Sequence, residues 1–484
     1  MTEMIDKFHD ECGVIGVYAP GKEDIARGVY FGLHSLQHRG QESAGIAVNR
    51  GGKISYYKDM GLVQEVFNDE IIGRLQGDMA IGHVRYSTAG ESHAVNAMPL
   101  VAYYRGGAIA LAHNGNLINA DTLRCEMQDA GVIFQTGIDS EVIAALIARN
   151  IKDNTIEEAI VKSLETVKGA YALVITVGNK LIGVRDPNGI RPLCIGRGED
   201  GSLVLSSESC VFPLLGVELI RDVDAGEMVI IEDGEIKSIQ YHKGARKAMC
   251  SFEYVYFARP DSRMDGIGVY TARSECGRIL AREHPVAADM VISVPDSGNV
   301  AAIGYAEESG IPYGEGLIKN RYVGRTFIQP NQRMRELSVK LKLNVLKGNV
   351  AGKRIIMVDD SIVRGTTIGK IVKMLKDAGA KEVHIRVASP PVIAPCFFGI
   401  DTPNKEKLVA SGHTLEEICR MTGADSLGYI SVEGMLTAIG APEGTICTAC
   451  FTGDYPMKLP EPEVGSGGRA ELETDSVDVE KREE

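Results

Sequence analysis

The sequence contains no tryptophan and no apolar run that approaches the ~18 residues needed to cross a bilayer. It also lacks an excess of positive charge, because 52 lysines and arginines stand against 65 aspartates and glutamates, a net charge of −13. Such a chain repels nucleic acid and anionic membranes, so neither is an expected partner. Residues 1–11 lack the basic and apolar pattern of a secretion signal. We therefore predict a cytoplasmic protein.

The rest of the composition is that of a globular protein, with 44% hydrophobic and 24% charged residues among 484. At ~150 residues per domain, this length suggests two or three domains. The 55 glycines follow no G-x-y period, which excludes a collagen-like chain.

Residues 12–245 show the patterns of an α+β domain. Residues 12–18 are an apolar strand, and apolar positions of 25–36 share one helical face. Thr155 and Glu158 form a capping box. Positions 178–179 and 233–234 lie between strand-like runs, as two-residue hairpin loops require. These features predict an antiparallel sheet layered with helices.

From residue 246 the pattern changes. Predicted strands at 287–294, 353–358 and 381–387 alternate with predicted helices at 299–310 and 366–378. This alternation predicts a parallel, doubly wound α/β sheet that ends at residue 457. Residues 458–484 are acidic and poor in apolar side chains, and we predict a disordered tail.

The segment RIIMVDDSIVRGTT at 354–367 carries the most specific chemistry. Asp359 and Asp360 end an apolar strand, and the loop 361–367 leads into a helix. The N–H groups of such a loop suit a phosphate dianion, and Gly365 lets the backbone approach it closely. Two carboxylates would repel that anion unless they bind sugar hydroxyls and the shell of a Mg²⁺ ion.

This segment resembles the signature of type I phosphoribosyltransferases, which use 5-phosphoribosyl-1-pyrophosphate (PRPP). The resemblance implies that Asp359 and Asp360 hold the ribose diol and Mg²⁺. The loop residues that it implies for the 5-phosphate are Ser361, Arg364, Gly365, Thr366 and Thr367.

Two further segments match the same family. The turn Val294–Gly298 would direct Ser297 toward the pyrophosphate and the metal. The basic run 319–328 resembles the flexible loop that closes over the substrate, with Lys319 and Arg325 as PRPP-binding cations. A solvated basic loop is the alternative for this run.

Cys12 begins the first strand, where a cysteine is ordinarily a buried packing residue. Four segments change this interpretation: QHRGQ at 37–41, GHVRYS at 82–87, HNGN at 113–116 and GIDS at 137–140. Together with Cys12 they resemble class II glutamine amidotransferases, N-terminal-nucleophile (Ntn) hydrolases with a four-layer αββα sandwich. In that family a propeptide is removed and the freed α-amine of the cysteine is its base. We therefore expect residues 1–11 to be a propeptide.

The resemblance also assigns roles around Cys12. Amide hydrolysis builds an oxyanion, and Asn114 with the Gly115 N–H would stabilise it. Arg85 would bind the carboxylate of glutamine and Asp139 its ammonium group. Arg39 is assigned to the same glutamine site, where it would help to hold the site together.

Ten cysteines in a chain without a secretion signal are expected to be reduced thiols. From spacing alone, Cys447 and Cys450 could hold zinc, an iron–sulfur cluster or a redox dithiol. The two halves combined resemble the amidophosphoribosyltransferase family, whose Bacillus-type branch carries a [4Fe–4S] cluster. The positions that match its ligands are Cys250, Cys396, Cys447 and Cys450.

This resemblance implies that glutamine, PRPP and water give 5-phosphoribosylamine, glutamate and pyrophosphate, the first step of de novo purine synthesis. It further implies internal passage of ammonia, inhibition by purine nucleotides, and a homo-oligomer, which is a tetramer or a dimer in this family; we expect a homotetramer. Two other functions share part of these features. A glucosamine-6-phosphate synthase would have no use for Asp359-Asp360, and a PRPP-sensing regulator would need no N-terminal nucleophile.

Overall fold

The computed structural model describes residues 12–22, 24–86, 92–320, 343–402 and 404–460. The predicted propeptide at 1–11, Arg325 and nearly all of the predicted tail lie outside these residues.

Two antiparallel sheets form the first half. Its strands are β1 (Gly13–Tyr18), β2 (Ser43–Arg50), β3 (Lys53–Met60), β4 (Met79–Arg85), β5 (Leu100–Tyr104), β6 (Gly107–Leu117), β7 (Gly169–Val177), β8 (Lys180–Arg185), β9 (Cys194–Gly198), β10 (Leu203–Ser206), β11 (Val217–Asp222), β12 (Glu227–Glu232) and β13 (Glu235–Gln240). One sheet has the order β11-β9-β10-β1-β4-β2-β3 and the other β13-β12-β8-β7-β6-β5.

Helices cover the outer faces of these sheets. They are α1 (Ile25–Ser35), α2 (Val63–Val66), α3 (Asp69–Arg74), α4 (Ala120–Asp129), α5 (Ser140–Asn150), α6 (Ile156–Leu164) and α7 (Phe212–Leu215). Val29 of α1 packs on the first sheet, and Ile143 of α5 packs on the second. Val14 and Val174 meet in the apolar layer between the sheets. The αββα sandwich is therefore confirmed.

Local sequence explains several boundaries. Asp233 and Gly234 both have positive φ, +52° and +79°, as the tight turn between β12 and β13 requires. Thr155 and Glu158 make both hydrogen bonds of the capping box at the start of α6.

The strands of the second half are β14 (Met249–Cys250), β15 (Arg263–Met264), β16 (Ile267–Gly268), β17 (Met290–Ser293), β18 (Leu317–Lys319), β19 (Leu343–Val345), β20 (Arg354–Asp359), β21 (Glu382–Val387), β22 (Ser426–Tyr429) and β23 (Ile446–Cys447). Four of them form a parallel sheet of order β17-β20-β21-β22. The helices of the second half are α8 (Val269–Glu283), α9 (Asn299–Ser309), α10 (Lys347–Val350), α11 (Thr366–Asp377), α12 (Val409–Gly412), α13 (Leu415–Thr422), α14 (Val432–Ile439) and α15 (Ala449–Thr452). The predicted α/β pattern is confirmed, with ends shifted by at most three residues.

The two halves share a core. Ala170 and Ile190 of the first half belong to the same buried cluster as Phe252, Phe398 and Phe451 of the second. Within the described residues, no helix is both long and apolar enough to cross a membrane.

Candidate active sites

Cys12 lies directly before β1, in the first sheet of the sandwich. Its side chain is buried, and the thiol donates to the Tyr86 carbonyl at 3.5 Å. Gly13 pairs with Val84, so the same register places Cys12 opposite Arg85 at the end of β4. The structure thus brings the predicted nucleophile beside the arginine predicted to bind the glutamine carboxylate.

Asn114 and Gly115 lie in β6, on the second sheet. Asn114 is 1% exposed, and its Nδ2 has no hydrogen-bond partner among the described residues. Gly115 has a φ of +142°, and a Cβ there would lie 2.0 Å from the Ala170 carbonyl oxygen. Only glycine fits this backbone. A buried amide donor without a partner is the feature that an oxyanion site needs.

Asp139 occupies the N-cap position of α5, but its side chain makes no cap hydrogen bond. The carboxylate instead accepts from the Leu117 N–H at 2.9 Å, and one oxygen lies 3.5 Å from Nδ1 of His113. Burial works to raise the pKa of Asp139, yet His113 and these hydrogen bonds bring the pKa below its ordinary value. The side chain therefore stays anionic, as an ammonium-binding group must.

Arg39 lies beneath Cys12 and is fully buried. Its Nε donates to the Cys12 carbonyl at 3.0 Å, and its Nη1 and Nη2 contact Glu208 and Glu253 at 2.7 Å each. These contacts agree with a role in holding the site together, and direct contact with glutamine stays a prediction. Sequence reasoning missed both glutamates, because they lie 169 and 214 residues away in the chain and carry no local motif.

The second site lies at the carboxyl end of β20. Asp359 and Asp360 are buried there, and Asp360 accepts hydrogen bonds from Ser297 at 2.5 Å and from Ser361 at 2.8 Å. The predicted Val294–Gly298 turn and the predicted phosphate loop therefore meet at one carboxylate.

The loop then enters α11 through Gly365, whose φ is +79°. Arg364, Gly365 and Thr366 line a cavity of about 330 Å³ that also contacts Lys370 and Lys373 of α11. Thr367 follows in the first turn of the helix. The cavity therefore brings the loop and the start of the helix beside two cationic side chains, and its lining also includes the apolar Val409, Ile418 and Met421.

Lys319 ends β18 and contacts Asp296 at 2.9 Å. This contact places the predicted PRPP-binding lysine beside the turn that holds Ser297. The other predicted cation of that segment, Arg325, lies outside the described residues.

The four predicted cluster cysteines converge although they are distant in sequence. Cys250 and Cys447 are register partners in the parallel pair β14 and β23. Burial raises the pKa of the Cys450 thiol well above its usual range, and Cys447, Cys250 and Cys396 add to that effect. Burial likewise raises the pKa of Cys447 to about 11. Among the described residues, no group of three or more His, Cys, Asp or Glu is arranged to hold a single metal ion.

The fold and the two sites define a class of protein, a class II glutamine amidotransferase joined to a type I phosphoribosyltransferase. Family models agree: one described as a glutamine amidotransferase domain matches residues 83–213, and one described as a phosphoribosyl transferase domain matches residues 276–389. Among curated relatives, the amidophosphoribosyltransferase of Archaeoglobus fulgidus is 55% identical over 452 residues, covering 93% of this chain and 98% of that protein. The amidophosphoribosyltransferase of Bacillus subtilis is 50% identical over 464 residues, covering 95% and 97%.

A solved structure of the B. subtilis glutamine PRPP amidotransferase, complexed with ADP and GMP, matches with a TM-score of 0.88 and 49% identity, covering 93% of this chain and 98% of that one. The chain belongs to the amidophosphoribosyltransferase family. It is a pentosyltransferase that uses glutamine and PRPP in the first step of purine biosynthesis. Both rival functions are thereby excluded.

Proposed function

We propose that Cys12 is the nucleophile that releases ammonia from glutamine. Arg85 and Asp139 hold the carboxylate and the ammonium group, so the side-chain amide points at the thiol. The observation that carries this proposal is the buried Asn114 amide, which has no partner among the described residues and lies in the strand beside Gly115. We propose that removal of residues 1–11 frees the α-amine of Cys12 to act as the base.

The chemistry then proceeds in two halves. The amine takes the thiol proton, the sulfur attacks the amide carbon, and Asn114 Nδ2 with the Gly115 N–H stabilises the oxyanion. The C–N bond breaks as nitrogen accepts the proton and leaves as ammonia, with a thioester on Cys12. Water attacks the thioester, the C–S bond breaks, and glutamate leaves with the thiol restored.

At the second site, Asp359 and Asp360 are proposed to hold the ribose hydroxyls, while 361–367 hold the 5-phosphate. The carboxylate and hydroxyl donors of Asp359, Asp360 and Ser297 fit a hard cation, and they would hold Mg²⁺. Bound Mg²⁺ supplies charge neutralisation for pyrophosphate departure. Lys319 and Arg325 are proposed to approach the pyrophosphate, for which Lys319 must exchange its contact with Asp296. Ammonia passes internally from Cys12 and forms the bond to C1 as the C1–O bond to pyrophosphate breaks.

We also propose that Cys250, Cys396, Cys447 and Cys450 hold a [4Fe–4S] cluster, as in the Bacillus-type branch. Four converging thiols give the thiolate-only donor set that such a cluster uses. The Phe398 N–H donates to the Cys396 sulfur at 3.3 Å, a contact of the kind that surrounds cluster sulfurs. A bound cluster would tie together β14, β23 and the loop that contains Cys396, and so stabilise the second half.

Anaerobically purified protein should be brown and contain iron and sulfide. Changing any one of the four cysteines to serine should bleach the protein and lower its melting temperature, because metal-binding energy is folding energy. Cys125→Ser is the matched control, since that exposed thiol lies in α4, away from the four. Colourless, stable protein that contains zinc would contradict the cluster.

Gly115→Ala tests the oxyanion assignment. The added Cβ would displace β6 from β7, so glutamine-dependent synthesis should fall ~10²- to 10³-fold, the usual loss for one oxyanion donor. Synthesis from added ammonia should stay near wild type. Gly178→Ala is the control, because its φ is also positive, at +59°, but its Cβ would meet open space. An undiminished glutamine-dependent rate in the Gly115 variant would remove Gly115 from the mechanism.

Other properties are proposed from the family resemblance. Purine nucleotides are the proposed feedback inhibitors, supported by the ADP and GMP in the related structure. A homotetramer and a cytoplasmic location are proposed as well. The domain limits 12–245 and 246–457, with a disordered tail at 458–484, stay predictions.

A further inference from the structure

A buried chain of charges crosses from one half of the protein to the other beneath Cys12. Arg39, Glu208 and Glu253 have fully buried side chains. Glu253 binds Arg39 through both carboxylate oxygens, at 2.7 and 2.9 Å, and Arg39 in turn donates to the Cys12 carbonyl. Glu253 belongs to the second half, in a π-helical turn at Glu253–Phe257.

The row of buried charges continues on the other side of Glu253. Arg191 approaches its carboxylate at 3.7 Å and donates from Nε to the Phe398 carbonyl at 2.9 Å. The second half therefore contacts the first through a side chain and through a loop, residues 397–399.

That loop packs against the strand proposed to carry the oxyanion donors. Asn116 Nδ2 donates to the Phe397 carbonyl at 2.9 Å. A Cβ on Gly399 would lie 3.1 Å from the Cα of Gly115 and 2.9 Å from Nη2 of Arg191, and its φ is +115°. Glycine at 399 thus permits direct backbone contact with Gly115.

We propose that Glu253 and the 397–399 loop are positioning elements of the glutaminase, so that the second half completes a site whose reacting groups all lie in the first. Glu253 fixes Arg39, and thereby the backbone of Cys12. The loop contacts Gly115 and Asn116 and so holds the strand that carries Asn114. Because a misplacement of ~1 Å can cost ~10²-fold in rate, both contacts affect catalysis without touching glutamine. This inference rests on the proposed role of Cys12.

Glu253→Gln removes the charge and keeps the shape. The kcat for glutamine hydrolysis in the presence of PRPP should fall at least tenfold, with KM for glutamine within twofold of wild type. Synthesis from ammonia should keep at least half of its rate. The control is Asp265→Asn, which removes a different ion pair between the halves, the one that the partly exposed Asp265 makes with the buried Arg185 at 2.7 Å. The control should keep the glutaminase rate.

Equal losses in the two variants, or a parallel loss of both activities in Glu253→Gln, would reduce Glu253 to a structural role and overturn the proposal. If Glu253→Gln does not fold, Asn116→Ala tests the positioning role instead, because it deletes the hydrogen bond to the Phe397 carbonyl. Its glutaminase kcat should fall at least threefold, and an unchanged kcat overturns the proposal. A different result would refute the assignment of Cys12 as the nucleophile, namely glutaminase activity that persists in Cys12→Ala. An inactive Cys12→Ala beside a fully active Glu253→Gln refutes the positioning role alone.

Discussion

Cys12→Ala should abolish synthesis of 5-phosphoribosylamine from glutamine and leave synthesis from added ammonia largely intact. The sulfur is the proposed nucleophile, so its removal stops ammonia release at the first step. The groups proposed to act at C1 all lie in the other half of the chain, among them Asp359 at the end of β20. The measurement is product formation with glutamine and with ammonium, at a pH that supplies free NH₃.

The alanine variant should be expressed from residue 12, because its processing would otherwise depend on the missing thiol. Cys125→Ala serves as the control and should keep both activities. The intact mass of active wild-type enzyme should correspond to a chain that begins at Cys12. If the variant folds and binds PRPP but makes no product from ammonia, the two sites are not separable and the assignment is wrong.

The double change Asp359→Asn and Asp360→Asn should remove both activities, by ~10²- to 10³-fold or more. Both syntheses end in the same displacement at C1, and the variant loses the charges that would hold the ribose and Mg²⁺. It should also weaken stimulation of the glutaminase by PRPP, since PRPP can shift that site only through differential binding.

Asp377→Asn is the control for this double change, because it removes an exposed carboxylate at the far end of α11. Product formation from ammonia and titration of PRPP binding would be measured together. Full ammonia-dependent activity in the double variant would show that the acidic pair does not serve the chemistry at C1.

Features with a local cause could be predicted from the sequence. The turn at 233–234 follows from an Asp-Gly pair that tolerates positive φ, and the start of α6 follows from Thr155 and Glu158. The arrangement around Asp360 could be anticipated because the Asp-Asp pair and the Pro-Asp-Ser-Gly turn each lie at the end of a strand of one parallel sheet, and the Gly-Thr-Thr segment begins the helix that follows.

Features that depend on distant segments could not be predicted. Glu208 and Glu253 are ordinary glutamates in the sequence, and only the fold brings them to Arg39. Asp139 resembles a helix cap by position, yet the Leu117 N–H competes for its carboxylate. The short strands β14 and β23 pair and bring Cys250 to Cys447, about two hundred residues away in the sequence. Strands of two residues are too short to show a period in the sequence, so this pairing could not be predicted.

The core shared by the two halves and the contact between Glu253 and Arg39 determine whether the glutaminase half could be joined to a different enzyme that uses ammonia. A fragment cut at residue 245 would expose Ala170 and Ile190 and leave Arg39 with one of its two carboxylates. Breaking a buried ion pair by removing one partner costs ~3–5 kcal/mol, comparable to the whole stability of a marginal domain. Any chimera would therefore have to carry residues 250–257 and 396–400 with the glutaminase, or rebuild that surface on the new partner. A transferable glutaminase would therefore need more of the chain than the part that holds its reacting groups.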